Sequence, residues 1–266
     1  FLMMRRPPRS TLFPSTTLFR SHVMDPVRGR PVPLAGPAYG RALGPAGADL
    51  ALTAEELLRF GLLHLGHVQT GGDLPWPVLK QMRLPQSALP DGLAARGFGL
   101  GWMLPRLGAP GAVGHDGASM TFLRLFPEAD AALVLLTNGG QAATLASRVI
   151  PRVMDELLGL PAPPVPAVTA GPAATDGAYI GRYRNMGMVV DVARRDDGLS
   201  MRLLTVPGAT SDRPDAGWRR MLALGGQGFA LDDPAGDRLQ FTFSGGAVRW
   251  MHMGVRALKP DAAPDP

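Results

Sequence analysis

Cysteine is absent from the 266 residues, lysine is nearly so, and no apolar run is long enough to span a membrane. The first absence excludes disulfides and thiolate chemistry and leaves the redox compartment open. The second is compositional: Lys80 and Lys259 stand beside 25 arginines amid abundant Ala, Gly and Pro, a usage resembling translation from GC-rich bacterial DNA. A folded basic face is missing too. The formal net charge is +5, but Arg5, Arg6, Arg9 and Arg20 fall in residues 1–21, which hold no acid, and beyond them 23 basic residues face 22 acidic ones. No Lys/Arg cluster interleaved with aromatics follows, so nucleic acid is not an expected partner.

What is present is turn chemistry and apolar bulk. Thirty-four glycines and 27 prolines without a three-residue period exclude a helical bundle and a collagen, while 45% hydrophobic residues suffice for packed cores. Residues 1–21 read as a non-native or disordered leader. Thr11-Leu12-Phe13 is echoed by Thr17-Leu18-Phe19 without helical or strand period, the segment lacks the apolar core of a secretory signal, and its end looks like translated sequencing-adapter DNA. The compartment stays open between periplasm, exterior and cytoplasm.

Residues 22–48 are Pro-rich and are expected to form an irregular crossing segment. Thr53-Ala54-Glu55-Glu56 is a capping box opening an amphipathic helix through Leu65, and a shorter helix is expected after Pro75, around Val78 to Met82. Strands are expected over Phe98–Leu104, Thr121–Phe126 and Ala131–Thr137, the last read as central from its uninterrupted apolar run. Leu145, Val149, Val153, Leu157 and Leu158 recur at helical spacing. Gly159 to Gly177, with five prolines, is a linker. Beyond it, turn signals at 195–198, 225–228, 232–237 and 244–246 predict a small antiparallel barrel or sandwich over 178–260, followed by a frayed tail, 261–266. The fold class is therefore α+β: an antiparallel sheet flanked by helices over 22–158, then a small antiparallel β-barrel.

Val113-Gly114-His115-Asp116-Gly117-Ala118, followed by a hairpin ending Leu135-Leu136-Thr137-Asn138, resembles the third active-site box of the penicillin-recognising serine hydrolases, the class C β-lactamase-like, esterase and D-aminopeptidase-like kind. Those enzymes carry Lys-Thr-Gly or His-Thr-Gly on an edge strand of the central sheet. The capping-box helix, the Phe98-Gly99-Leu100-Gly101-Trp102 stretch and the helix after Asn138 occur in the family's order, and the terminal barrel resembles its lipocalin-like module. The resemblance implies an incomplete β-lactamase/transpeptidase-like domain that acts on a small ester, amide or peptide through an acyl-serine intermediate, without a cofactor or metal.

Carried over residue by residue, it assigns His115 to the cation or hydrogen-bond donor position, Gly117 to close backbone approach, and the Ala118 N–H to one oxyanion donor. Asp116 stands where a hydroxyl is commoner. A carboxylate there is expected to repel the carboxylate of a penicillin-type substrate unless His115 neutralises it, favouring neutral or amine-bearing esters and amides.

The nucleophile's Ser-x-x-Lys does not occur, and the one Tyr-x-Asn, Tyr183-Arg184-Asn185, lies beyond the linker, where the family order rules it out. The expectation is a hydrolase fragment, inactive by itself. The alternative is a non-catalytic binding or regulatory protein whose barrel takes an apolar ligand or covers a partner's active site. His64 and His67, at i, i+3, lack a third metal ligand and read as favourable charge at a helix end. His252 reads as structural, the four tryptophans as core, and Asp232 to Asp237 as a turn rather than a calcium loop.

Overall fold

The computed structural model describes residues 22–25, 30–33, 52–68, 74–117, 121–137, 142–161, 176–185, 188–196, 198–204, 217–232 and 238–261. The leader, most of the linker, the 233–237 turn and the tail beyond 261 lie outside them. So does Ala118.

The Pro-rich 22–33 stretch is more ordered than its composition predicts: β1 (His22–Asp25) and β2 (Arg30–Pro33) pair antiparallel in a separate two-stranded sheet. The capping box then forms as read. Thr53 accepts from the Glu56 N–H while the Glu56 carboxylate takes the Thr53 N–H at 2.8 Å, and α1 (Ala54–Leu65) ends on Gly66 at φ 95°, where a residue with a Cβ is strained. α2 (Trp76–Met82) follows Pro75.

Six strands in simple sequential order build the first sheet: β3 (Ser87–Ala88), β4 (Ala95–Phe98), β5 (Met103–Pro105), β6 (Val113–Gly117), β7 (Thr121–Phe126) and β8 (Ala131–Leu136). The single strand expected over Phe98–Leu104 is a hairpin. The Gly99 N–H bonds the Trp102 carbonyl at 2.8 Å, and Gly101 at φ 77° turns the chain, so the Gly-x-Gly spacing acts as a turn within an apolar run.

The apolar strand β8 is not central. It closes the strand order, with β7 as its one partner among the described residues. Its alternating side chains explain the misreading: Ala132 and Val134 pack with α1, while Ala131, Leu133 and Leu135 pack with α3 (Ala142–Leu158). Helices on both faces demand apolar side chains on both faces, and side chains carry no record of how many lateral neighbours a strand has. On α3 the i, i+4 stripe Ala142, Ala146, Ile150 and Met154 is buried against the sheet, and Gly61 lets α1 approach so closely that a Cβ there meets Leu125 Cδ2 at 2.9 Å.

After the linker a 3₁₀ turn (Asp176–Tyr179) leads into eight strands: β9 (Gly181–Arg184), β10 (Val189–Arg195), β11 (Gly198–Leu204), β12 (Arg219–Gly225), β13 (Gly228–Leu231), β14 (Arg238–Ser244), β15 (Ala247–Met253) and β16 (Arg256–Pro260). They close into an antiparallel barrel through the β16–β9 pairing, which settles the choice between barrel and sandwich. Side chains fill its interior. Val190, Met201, Phe241, Met251 and Leu258 are fully buried, and the Tyr179 ring packs edge-on against Phe229 and Phe241 at 5.1 and 4.9 Å. No helix among the described residues is long and apolar enough to cross a membrane.

Candidate active site

Strand β6 carries the third-box residues. It pairs with β7 along its whole length, from Val113↔Leu125 to Gly117↔Thr121, but with β5 only at Met103↔Gly114. β6 is thus not an edge strand, as the resemblance implies; it is the fourth of six. Because β5 is three residues long and begins just after the Gly99–Trp102 turn, His115, Asp116 and Gly117 still have no ladder partner on that side among the described residues. No strand takes up the backbone on that side, and the His115 carbonyl is met by the Arg124 guanidinium at 3.5 Å.

Alternation sends the side chains of this stretch to opposite faces. His115 shares the face of Val113, the α1 side, and is exposed; Asp116 shares the face of Gly114. His115 therefore cannot neutralise Asp116, and the cation that does is Arg124. Its guanidinium donates to the Asp116 carboxylate and, at 2.9 Å, to the Leu123 carbonyl. Gly114 makes this possible, since a Cβ there would meet Arg124 Cδ at 2.7 Å. The Arg124 side chain is 11% exposed and that of Asp116 41%. The Asp116 charge is thereby offset.

Sequence reasoning missed Arg124 and Gly114. The β6–β7 register contains the signal, because Arg124 lies opposite Gly114 and so diagonal to Asp116, but that register is not visible without the hairpin's pairing. Gly117 is also explained within the chain: a Cβ there would collide with the Thr121 hydroxyl across the hairpin.

Beside Asp116 the two parts of the molecule meet. Val255, in the β15–β16 turn of the barrel, lines with Met103, Pro105, Gly114, Asp116 and Arg124 a cavity of about 70 Å³. The His115 face is organised differently. Trp102, which precedes the Met103–Gly114 pair, is 3% exposed, and its ring stands edge-on to His64 at 4.9 Å; Phe60 flanks the same imidazole at 4.8 Å.

His64 is 1% exposed, and its Nδ1 has no hydrogen-bond partner among the described residues. Burial, with Arg83 nearby, pushes its pKa down to about 4. The helix-end charge explanation thus fails for His64, which is neutral at pH 7; burial outweighs the dipole. His67 lies past the helix and bonds Asp130 at 2.6 Å.

The remaining candidates fall into structural places. Tyr183 is buried in the barrel, its hydroxyl donating to the Tyr179 carbonyl at 2.7 Å and its pKa pushed up to about 12 by burial. His252 is buried on β15. Of the tryptophans only Trp102 is core; Trp76, Trp218 and Trp250 each lie under a Lys or Arg cation at 4.8–5.5 Å. No cluster of three metal-ligating side chains occurs among the described residues.

A family profile described as Beta-lactamase matches residues 13–158, more than half of the sequence. The chain belongs to the Beta-lactamase family. The match begins within the segment read as a leader and ends with α3. Over 157 residues the chain is 35% identical to "Penicillin-binding protein 4" of Amycolatopsis lactamdurans, an alignment covering 55% of this chain and 41% of that protein. It thus spans about two-fifths of that relative's length.

Two crystal structures of SurE share the fold. One matches with a TM-score of 0.57 at 21% identity over 91% of this chain and 55% of the other. The second, titled as SurE with D-Leu, gives 0.54 at 23% over 78% and 49%. The wider match takes in both the helix-flanked sheet and the barrel. Membership of this family makes the chain part of a penicillin-recognising serine hydrolase lineage.

Proposed function

We infer that these residues are the C-terminal portion of a serine hydrolase that cleaves esters, amides or peptides through an acyl-enzyme, with the nucleophile and its lysine supplied by sequence outside the 266 residues. The carrying observation is the free side of β6 from His115 to Gly117, which offers backbone hydrogen bonding beside an exposed imidazole in a member of this family.

In this reading His115 donates a hydrogen bond or charge to the substrate side of the cleft. The Ala118 N–H is one of two oxyanion donors, a contribution of about 100- to 1000-fold in rate. With Asp116 held by Arg124 on the far face, a preference for neutral esters over β-lactams no longer follows, so both remain within the proposed substrate class. The barrel's filled interior argues against the alternative of an apolar ligand inside it and favours a covering role, since its β15–β16 turn packs beside Asp116.

A fluorophosphonate probe and a labelled penicillin test the reading. The expected result is no labelling of this chain and labelling of the complete gene product at a serine outside it. Labelling of a serine within residues 1–266, or none in the complete product, overturns it.

A further inference from the structure

A second cavity lies between the edge strand β3 and strands β4 and β5. Its volume is about 290 Å³, just under the roughly 300–1,000 Å³ of ligand clefts, and it is lined by Pro85, Gln86, Ser87, Ala88, Arg96 and Leu104. Its arginine sits at a β-bulge. Ala95 pairs with Pro105 and Gly97 with Leu104, so Arg96 is the extra residue on β4, and its side chain joins the cavity rim.

Arg96 is exposed and has no ion-pair partner among the described residues; the nearby acid Asp91 is taken by Arg106 at 2.7 Å. No acidic residue lines the cavity, whereas the Gln86 amide and the Ser87 hydroxyl add hydrogen-bonding groups beside the guanidinium. Pro85, Ala88 and the fully buried Leu104 make the rest apolar. A permanent planar cation at the mouth of an apolar recess is complementary to one chemistry, an oxyanion on a short apolar stem.

We propose that this recess binds a small amphipathic carboxylate, its oxygens on the Arg96 guanidinium and its stem against Pro85, Ala88 and Leu104. The recess shares the α1 face with His115, but its lining comes from the residues around β3, from β4 and from β5, and none of it from β6. The proposal does not depend on the hydrolase reading.

The test uses the full 266-residue chain with 4-phenylbutyrate as probe and its neutral amide as control, read by calorimetry and by amide chemical-shift mapping. The expected results are binding of the acid with shifts at Ser87, Ala88, Arg96 and Leu104, at least 10-fold weaker binding to Arg96→Gln, partial retention in Arg96→Lys, and at least 10-fold weaker binding of the amide. Because Arg96 is exposed, Arg96→Gln should leave the melting temperature unchanged. No binding, binding indifferent to Arg96→Gln, or shifts confined to another surface overturns the proposal. Serine labelling of the complete product is a separate readout, so either proposal can fail while the other stands.

Discussion

The Arg124 guanidinium crosses over Gly114 to hold the Asp116 carboxylate on the face of the sheet opposite His115. Two residues adjacent in the third-box motif are thus separated by the sheet itself, and the cation that holds Asp116 comes from the next strand.

Gly114→Ala should displace Arg124 and press on the β7 backbone, because the new methyl would meet Arg124 Cδ and the Leu123 carbonyl oxygen, each at 2.7 Å. A loss of about 1–3 kcal/mol in urea unfolding is expected, larger than for Asp116→Asn, whose carboxylate is 41% exposed and whose pair contributes about 1 kcal/mol or less. Equal effects of the two variants would show that Gly114 is not what seats the arginine.

Stability should fall as pH drops from about 6.5 to about 4. His64 has its folded pKa pushed down to about 4, so in that window the unfolded chain binds a proton that the folded chain refuses. The contribution is complete above pH 6.5 and is lost toward pH 4, up to about 3 kcal/mol. Burial lowers His252 in the same direction. Chemical denaturation of the wild type and His64→Leu at pH 7.5 and pH 5 checks this: the variant should lose much of the difference, and an unchanged pH dependence refutes the assignment.

Tyr183→Phe should cost about 1–2 kcal/mol by removing the buried hydroxyl that donates to the Tyr179 carbonyl. In the complete gene product it should leave serine labelling intact, because the hydroxyl is inside the barrel. Loss of labelling with an unchanged melting temperature would return Tyr183-Arg184-Asn185 to the catalytic candidates.

Thr53→Ala should destabilise the chain by about 1 kcal/mol through loss of the hydroxyl that caps α1, with Thr53→Ser largely restoring it. Circular dichroism melts of the two variants measure this directly.

How legible these features were depended on how local their causes are. The capping box and Pro75 before α2 were readable because each signal and its partner lie within a few residues. The Gly99–Trp102 turn was hidden inside an apolar run whose alternation imitates a continuous strand. β8 was read as an apolar strand but placed at the centre of the sheet, because burial on two faces says nothing about lateral neighbours. At the site, His115 and Gly117 were visible as a motif. Arg124 was not, because its role depends on a register set by the β6–β7 hairpin and on the missing side chain of Gly114.

The position of β8 has a practical consequence for handling the protein. Among the described residues this six-residue Val/Leu/Ala strand shows one row of amides and carbonyls to no neighbour, and it carries no charge or proline that would discourage a stranger from pairing there. A margin of this kind is a template for edge-to-edge pairing between copies, so precipitation that grows with concentration during purification would be consistent with this edge and not by itself a sign that either core fails to fold.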